Sequence, residues 1–167
     1  MNTTLLTPVL PKVADQEKLD RFTKAALAAK DFHVNMPLVH RFTPGMYIRE
    51  IFMPKGTIVV SRVHRTTHPF VVSKGECDVW CPDRGWQNIK APYTGITRPG
   101  TQRLLLILED TIWTTFHPGP WPEGTDPQSI VEKVSAAPYL EYLKGAPETV
   151  MESLKAHLPA LEGGKRL

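Results

Sequence analysis

Hydrophobic positions along the chain follow two different periods, and each period predicts a different kind of element. From Ala14 to about Lys30, apolar residues recur at spacings of three and four among charged neighbours, which is typical of an amphipathic helix. Between roughly Met46 and His117 the period becomes two, and short apolar runs alternate with turn residues. The middle of the chain is therefore predicted to be β-structure.

Eight short strands are predicted in this middle segment, and their close spacing favours a β-sandwich or a barrel. Turn residues such as Lys74-Gly75 and Pro99-Gly100 separate them. The predicted strands are Tyr47–Phe52, Ile58–His64, Phe70–Ser73, Cys77–Trp80, Trp86–Ile89, Gly95–Arg98, Arg103–Leu108 and Thr111–Phe116.

The chain after the last predicted strand changes character. Pro118, Pro120 and Pro122 cannot continue a central strand, so the sheet is expected to end there. Asp126-Pro127 predicts an N-cap and a first-turn proline for a helix reaching about Ala136, and a further helix is predicted from Pro147. We expect an N-terminal arm and helix (1–45), a barrel (46–118) and a proline-rich exit with C-terminal helices (119–167), forming one structural domain overall.

Composition and charge narrow the class of protein. With 167 residues, 41% hydrophobic and 22% charged, the chain is predicted to be globular rather than disordered or coiled-coil. The formal charge is +3 and the basic residues are scattered, which argues against a nucleic acid polymer as partner. No apolar run approaches a membrane span and no signal peptide is recognisable, so we expect no membrane partner and a cytoplasmic location. Cys77 and Cys81, four residues apart in a predicted strand, are expected to be reduced thiols.

The most informative motif runs from Gly56 to Gly75. It reads glycine, five residues, Arg62, one residue, His64, three residues, His68, six residues and glycine. This spacing resembles the first motif of the cupin superfamily. In that motif the position of Arg62 holds a histidine and the position of His68 holds a glutamate, so the spacing is kept while two ligand identities change.

Two further stretches extend the resemblance, which spans about Arg49 to His117. Pro99-Gly100 with Arg103 is similar to the second cupin motif, in which the position of Arg103 holds a histidine. The run from Trp113 to Pro118 looks like the final strand of small uncharacterised bacteriophage cupins. The resemblance implies an all-β, RmlC-like cupin jelly-roll β-barrel with flanking N-terminal and C-terminal α-helices, and implies a homodimer.

Strand alternation places the motif side chains inside such a barrel. Arg62 and His64 are two residues apart and share a face with Ile58 and Val60, so we expect all four in the interior. By resemblance, metal-binding cupins gather three histidines and a carboxylate there on iron, manganese, nickel or zinc. Arg62 and Arg103 cannot be such ligands, because a guanidinium stays protonated and offers no lone pair.

One interpretation is a metal site. His64, His68 and His117 would hold a divalent transition metal (Fe, Mn, Ni or Zn), with open positions for a substrate or water. The register opposes this arrangement if Glu109-Asp110 makes a tight hairpin, because an inward Arg103 would then turn His117 outward. A bulge or a longer turn would restore the inward orientation.

A second interpretation needs no metal. Arg62 and Arg103, with the two motif histidines, would form a positively charged pocket for a carboxylate, phosphate or nucleotide. Tyr93 and Trp113 would add stacking surface. In an isomerase-like enzyme one of the histidines would then act as general acid or base.

The arginines also have a purely structural explanation. Arg62 and Arg103 would form buried ion pairs with carboxylates such as Glu50 or Glu76. The sequence thus predicts a cupin-type small-molecule-binding protein whose ligand is a small anionic molecule. It leaves open a metal-dependent enzyme, a metal-free module that sequesters or senses an anionic metabolite or nucleotide, and a structural or assembly protein. It assigns no catalytic residue.

Overall fold

The computed structural model of the chain describes residues 13–28, 33–81 and 84–136. These residues belong to two compact units, one holding 13–34 and the other 35–136. The predicted arm before residue 13 and the predicted helix from Pro147 lie outside the described residues.

A single helix dominates the described part of the first unit. Helix α1 spans Val13–Ala28, which confirms the predicted helix with a slightly earlier end. Leu19, Phe22 and Ala25 are buried at spacings of three, as expected of an apolar helix stripe. Within the described residues, neither this helix nor the shorter one below has the length and hydropathy needed to cross a membrane.

The second unit contains eleven strands and one helix among its described residues. The pattern of apolar positions does not predict the first or the last strand, and the predicted strand 58–64 is interrupted at 61–62. The elements are β1 (Leu38–Thr43), β2 (Met46–Met53), β3 (Ile58–Val60), β4 (Val63–His64), β5 (His68–Lys74), β6 (Glu76–Cys81), β7 (Gly85–Lys90), β8 (Tyr93–Thr97), β9 (Leu104–Ile107), β10 (Thr111–Pro118), α2 (Pro127–Val134) and β11 (Ser135–Ala136).

These strands form a jelly roll. One sheet has the order β1-β2-β10-β5-β8, a second has the order β3-β9-β6-β7, and β11 pairs with β4. Strands β2, β3, β5 and β6 pair antiparallel with β10, β9, β8 and β7, respectively. The chain is therefore one long hairpin that winds back and forth between two sheets, which is the jelly-roll arrangement. The all-β barrel prediction is confirmed.

The hydrophobic core lies between the two sheets. Strand β6 illustrates its origin, because Cys77, Val79 and Cys81 alternate with more exposed residues and all three are buried. Both cysteines are reduced thiols, as predicted, and burial raises the pKa of Cys77 to about 12. The core cluster also includes residues from the opposing sheet, namely Met53, Phe70, Val72 and Trp113.

The predicted turn at Lys74-Gly75 joins β5 to β6 and depends on its glycine. Gly75 has φ +89°, in the left-handed region that side chains disfavour. A Cβ atom at this position would also collide with the backbone oxygen of Asp110 and with Thr111. Two different constraints therefore require glycine here.

Helix α2 closes one end of the barrel. The carboxylate of Asp126 accepts a hydrogen bond from the Ser129 N–H at 2.8 Å, so the predicted N-cap is confirmed. Ile130 and Val134 pack against the fully buried Tyr47. The helix ends at Val134, and the chain continues into β11, which pairs with β4.

Candidate functional site

A cavity of about 230 Å³ lies inside the jelly roll. Residues from both sheets and from α2 form its wall, which mixes apolar side chains with arginine and histidine. The lining residues are Met36, Arg49, Ile51, Met53, Val59, Val60, Ser61, Arg62, His64, Arg103, Leu105, Trp113, Thr115, His117, Val131, Val134 and Ser135.

The register of β10 brings His117 to this cavity. Pairing of β10 with β2 sets His117 opposite Tyr47, which faces inward and is fully buried, and His117 itself is only 4% exposed. The hairpin that would have turned His117 outward does not form, because β9 and β10 belong to different sheets. The Glu109-Asp110 turn therefore does not fix the orientation of His117 relative to Arg103.

The break between β3 and β4 corrects the predicted interior face. Ile58 is 37% exposed and does not line the cavity, whereas Val59 does. After the interruption at 61–62, Arg62 and His64 both line the cavity. Strict alternation from Ile58 to His64 was wrong because the strand is not continuous over that range.

Three histidine rings meet next to the cavity. His64 lies on β4, His68 begins β5 and His117 is near the end of β10. The centres of the His64 and His68 rings are 4.8 Å apart, and those of His68 and His117 are 4.3 Å apart. His68 is fully buried behind the other two, which line the cavity. The fold thus brings all three predicted metal ligands together.

Hydrogen bonds assign the protonated nitrogen on two of the rings. The Nδ1 of His68 is 3.1 Å from the carbonyl oxygen of Thr66, which can only accept, so this nitrogen carries the proton. The Thr115 hydroxyl donates to the carbonyl oxygen of Arg49 and must accept from Nε2 of His117, 3.1 Å away. The lone pairs of the neutral rings then lie on Nε2 of His68 and Nδ1 of His117.

These lone pairs have no hydrogen-bond partner among the residues that the structure describes. Nε2 of His68, Nδ1 of His117 and Nδ1 of His64 are buried, and none has a hydrogen-bond partner among the described residues. A buried polar atom without a partner is costly, so each of these nitrogens calls for a partner such as water, an ion or a ligand atom. Each of the three histidine rings contributes one such nitrogen.

The rings are neutral at physiological pH. Burial lowers the pKa of His68 to about 4 and that of His117 to about 3, and the nearby cations Arg103 and Arg49, respectively, act in the same direction. Burial, followed by His68 and Arg103, holds the pKa of His64 well below 6.5. Neutral imidazole is the form of histidine that binds a metal ion.

This donor set fits a transition metal in its chemistry. With metal–nitrogen bonds of about 2.1 Å, three imidazoles around one ion have ring centres roughly 4.5–5 Å apart, near the two separations seen here. In the described part of the chain, however, no three His, Cys, Asp or Glu side chains already converge in the geometry of a bound ion. Coordination by these histidines therefore requires their side chains to reorient.

The two predicted arginines also line the cavity. The Nε of Arg62 donates to the Ser135 hydroxyl at 2.9 Å, and an Nη of Arg103 donates to the Thr97 hydroxyl at 3.0 Å. The guanidinium of Arg103 also lies over the ring of Phe70 at 5.2 Å. Hydroxyl groups and, for Arg103, an aromatic face thus help to orient these guanidiniums.

The carboxylates suggested as partners for those arginines pair elsewhere. Glu50 lies 3.6 Å from Arg41, and Glu76 lies 2.9 Å from Lys90. Of the described residues that line the cavity, none is Asp or Glu. The cavity wall is therefore positively charged.

Arg49 is a third cavity arginine, and the sequence analysis did not select it. It lies on β2 opposite Thr115, one inward position from Tyr47. Its Nε is buried and has no hydrogen-bond partner among the described residues. Burial lowers the pKa of Arg49, and the neighbouring Arg62 lowers it further. The alternation 47, 49, 51, 53 in β2 was the sequence signal that could have found it.

The two predicted stacking residues occupy different places. Trp113 lines the cavity, where its ring stacks on Phe70 with centres 4.4 Å apart. Tyr93 is not among the lining residues, and its hydroxyl accepts a hydrogen bond from Gln87 at 3.1 Å. Tyr93 lies on β8, the edge strand next to β5, and its ring stacks on Phe70 with centres 6.0 Å apart; its role in binding a ligand stays a prediction.

Tyr47 supports the histidine cluster from behind. Its ring stacks on His117 with centres 5.8 Å apart, and its hydroxyl is 2.7 Å from Nδ1 of His40. Burial raises the pKa of Tyr47, so the phenol stays protonated in this hydrogen bond with His40. His40 thus holds the tyrosine that packs on a cavity histidine.

Comparison with known proteins gives similar folds at low sequence identity. No protein-family model and no curated protein matches the sequence. A cupin superfamily protein from Desulfitobacterium hafniense is 7% identical over 50% of this chain and 77% of its own, with a TM-score of 0.43. An RmlC-like cupin family protein with a double-stranded β-helix fold from Methanocaldococcus jannaschii is 15% identical over 53% of this chain and 85% of its own, with the same TM-score.

A third similar structure is an uncharacterised conserved protein with a double-stranded β-helix domain from Klebsiella pneumoniae. It is 15% identical, covers 57% of this chain and 87% of its own, and has a TM-score of 0.46. The strand order and pairing described above are those of a jelly roll. The fold of the described residues 35–136 is therefore a jelly-roll barrel, like the folds of these similar proteins.

Proposed function

We propose that this chain is a cupin-type small-molecule-binding protein that holds a divalent transition metal and a small anion in its barrel. His64, His68 and His117 are the proposed metal ligands, and Arg62 and Arg103 bind the anion. The observation that carries the proposal is the group of three adjacent imidazoles, each with a buried ring nitrogen that has no partner within residues 13–28, 33–81 and 84–136.

The chain's own residues would share the work at such a site. Thr66 and Thr115 fix the tautomers of His68 and His117, so each presents a lone pair without a change of protonation. Arg62, held by Ser135, directs its remaining N–H groups at an oxyanion. When bound, a divalent metal supplies a Lewis acid that polarises an oxygen ligand or activates water.

A metal-free binding module is the second candidate, and one observation favours it. Three arginines line the cavity and no Asp or Glu among the described residues does, so nothing in the wall offsets the charge of an added cation. In this candidate the anion is bound and released unchanged. The histidines then donate or accept hydrogen bonds to the ligand.

Metal content separates the two candidates. Protein purified without an affinity tag is stripped with a chelator, reloaded separately with Fe²⁺, Mn²⁺, Ni²⁺ and Zn²⁺, and desalted before elemental analysis. We expect about one equivalent of one metal in the natural protein and less than about a tenth in a His64→Ala, His68→Ala variant. His33→Ala is the matched control, because His33 is exposed and bonds only the Ala26 carbonyl among the described residues.

Two results would contradict the metal site. One is a reloaded natural protein with less than about a tenth of an equivalent of every metal. The other is equal metal in the natural protein and the double variant. Circular dichroism of the double variant, matched to that of the natural protein, shows that a loss of metal is not a loss of fold.

A further inference from the structure

The cavity has a polar end and an apolar end. Successive inward pairs along β2 and β10 are Tyr47 with His117, Arg49 with Thr115, Ile51 with Trp113 and Met53 with Thr111. The first two pairs are polar or charged, and the third is apolar.

The other sheet repeats this gradient. Val59 pairs with Leu105 across β3 and β9, and both line the cavity. The polar lining residues Arg62, His64 and Arg103 lie in the adjoining segments, beyond the paired strands. Both sheets therefore carry arginines toward one end of the cavity, and the guanidinium of Arg103 reaches to 5.9 Å from the ring of Trp113, where the two ends meet.

Arg49 lies at the boundary between the two ends. Along β2 and β10, the pair Tyr47 and His117 lies on its polar side, and the pair Ile51 and Trp113 lies on its apolar side. No carboxylate neutralises it within the described residues, since Glu50, next in sequence, points to the other face and pairs with Arg41. An anion in the cavity would both satisfy the buried Nε of Arg49, which has no partner among the described residues, and offset its charge.

We propose that the ligand of this cavity is a small amphipathic carboxylate, and that Arg49 is a third anion-binding residue beside Arg62 and Arg103. The carboxylate lies among the guanidiniums, and its apolar body extends past Ile51 and Leu105 onto Trp113. This inference rests on the anion-binding part of the proposed function and names the ligand class. An inorganic phosphate would occupy the charged end and leave the apolar end without contacts.

The cavity volume limits the size of the ligand. At about 230 Å³ it is smaller than the ~300–1,000 Å³ typical of pockets for drug-sized molecules. A carboxylate with a body the size of one aromatic ring suits this space and the indole face of Trp113. Benzoate is a suitable probe, and benzamide is its neutral counterpart of nearly equal shape.

The test compares four probes on the full-length protein. Benzoate, benzamide, acetate and inorganic phosphate are titrated by calorimetry and by thermal shift. We expect benzoate to raise the melting temperature and to bind at least about tenfold more tightly than acetate or phosphate, because only benzoate uses both ends. Benzamide, which lacks the charge, is expected to give no shift at the same concentrations.

Variants assign the binding to Arg49. Arg49→Met is expected to weaken benzoate binding by about tenfold or more, and Arg49→Lys is expected to recover part of it. Arg41→Met is the matched control, since Arg41 lies on the neighbouring strand, is half-exposed and pairs with Glu50. The affinity of the Arg41→Met variant for benzoate should equal that of the natural protein. The unliganded melting temperature of each variant shows that it is folded.

The outcomes separate this inference from the proposed function. Phosphate binding as tightly as benzoate would overturn the amphipathic ligand while supporting an anion pocket. Benzamide binding as tightly as benzoate, or full benzoate affinity in Arg49→Met, would overturn the role of Arg49. No response to any anion would overturn both the inference and the anion-binding part of the proposed function, leaving the metal measurement to test the rest.

Discussion

Replacing Arg49 by methionine is expected to make the ligand-free protein more stable. The substitution removes a cation whose buried Nε has no partner in the described part of the chain and which lies near a second cation, Arg62. Methionine keeps an unbranched chain that can contact Ile51, the next inward residue of the strand. The backbone of residue 49, whose carbonyl oxygen accepts from the Thr115 hydroxyl, keeps this bond.

The expected gain is about 1–2 kcal/mol. An unsatisfied buried polar group costs about 1–3 kcal/mol, and replacing buried charges by apolar residues of similar volume is neutral or stabilising by about 1–4 kcal/mol. The guanidinium is not fully removed from water, since Arg49 is only partly buried as a residue. We therefore place the effect at the lower end of both ranges.

Urea unfolding at pH 7 measures this change. With a slope of about 2 kcal/mol/M, the gain moves the midpoint by about 0.5–1 M at an unchanged slope. Arg41→Met, at a half-exposed ion pair, is expected to change stability by no more than about 0.5 kcal/mol. A loss of more than about 1 kcal/mol in Arg49→Met would refute the reasoning, because it would show that Arg49 stabilises the barrel without any ligand.

Three further predictions concern other parts of the barrel. The pKa of His117 is about 3 in the fold and 6.5 in the unfolded chain, so the unfolded state binds more protons between these values and acid destabilises the metal-free protein. Between pH 7 and pH 5 this difference in proton binding lowers the free energy of unfolding by about 2 kcal/mol. Urea unfolding at the two pH values should show that His117→Gln loses correspondingly less stability than the natural protein. In a Cys81→Ala background, Cys77 should resist iodoacetamide at pH 8 until the chain is unfolded, because burial raises its pKa to about 12. Mass spectrometry follows the labelling, and rapid labelling of the folded protein would contradict this prediction. Gly75→Ala should lower the free energy of unfolding by more than about 2 kcal/mol. Gly45→Ala, with a similar φ but open space around its Cβ, should lower it by about 1 kcal/mol. Equal losses by urea unfolding would show that the structure relieves the collision of the new Cβ with Asp110 and Thr111.

The period of two predicted most of the barrel because inward and outward positions differ strongly in burial. Strand β6 shows this alternation clearly. Strand β1 escaped prediction for the opposite reason. It is an edge strand with partly or fully exposed residues on both faces, including Leu38 at 43% and Val39 at 42% exposure, so it carries no alternating signal.

The orientation of His117 could not be obtained from local sequence. A short turn between two strands suggests a hairpin, and a hairpin would have tied His117 to Arg103. In the jelly roll, however, the chain passes from β9 in one sheet to β10 in the other. The register that matters pairs His117 with Tyr47, seventy residues away along the chain, and only the three-dimensional winding establishes it.

Arg49 marks the boundary between what the sequence could and could not reveal. Alternation in β2 puts residue 49 on the same face as Tyr47, Ile51 and Met53, so its inward direction was predictable. The sequence did not predict that no described carboxylate pairs with Arg49, because the adjacent Glu50 would be its expected partner. In the fold, Glu50 lies on the outer face and pairs with Arg41. An inward arginine next to an outward glutamate separates two charges that neighbour each other in sequence. The barrel interior is thereby left with a cation that a bound carboxylate would neutralise.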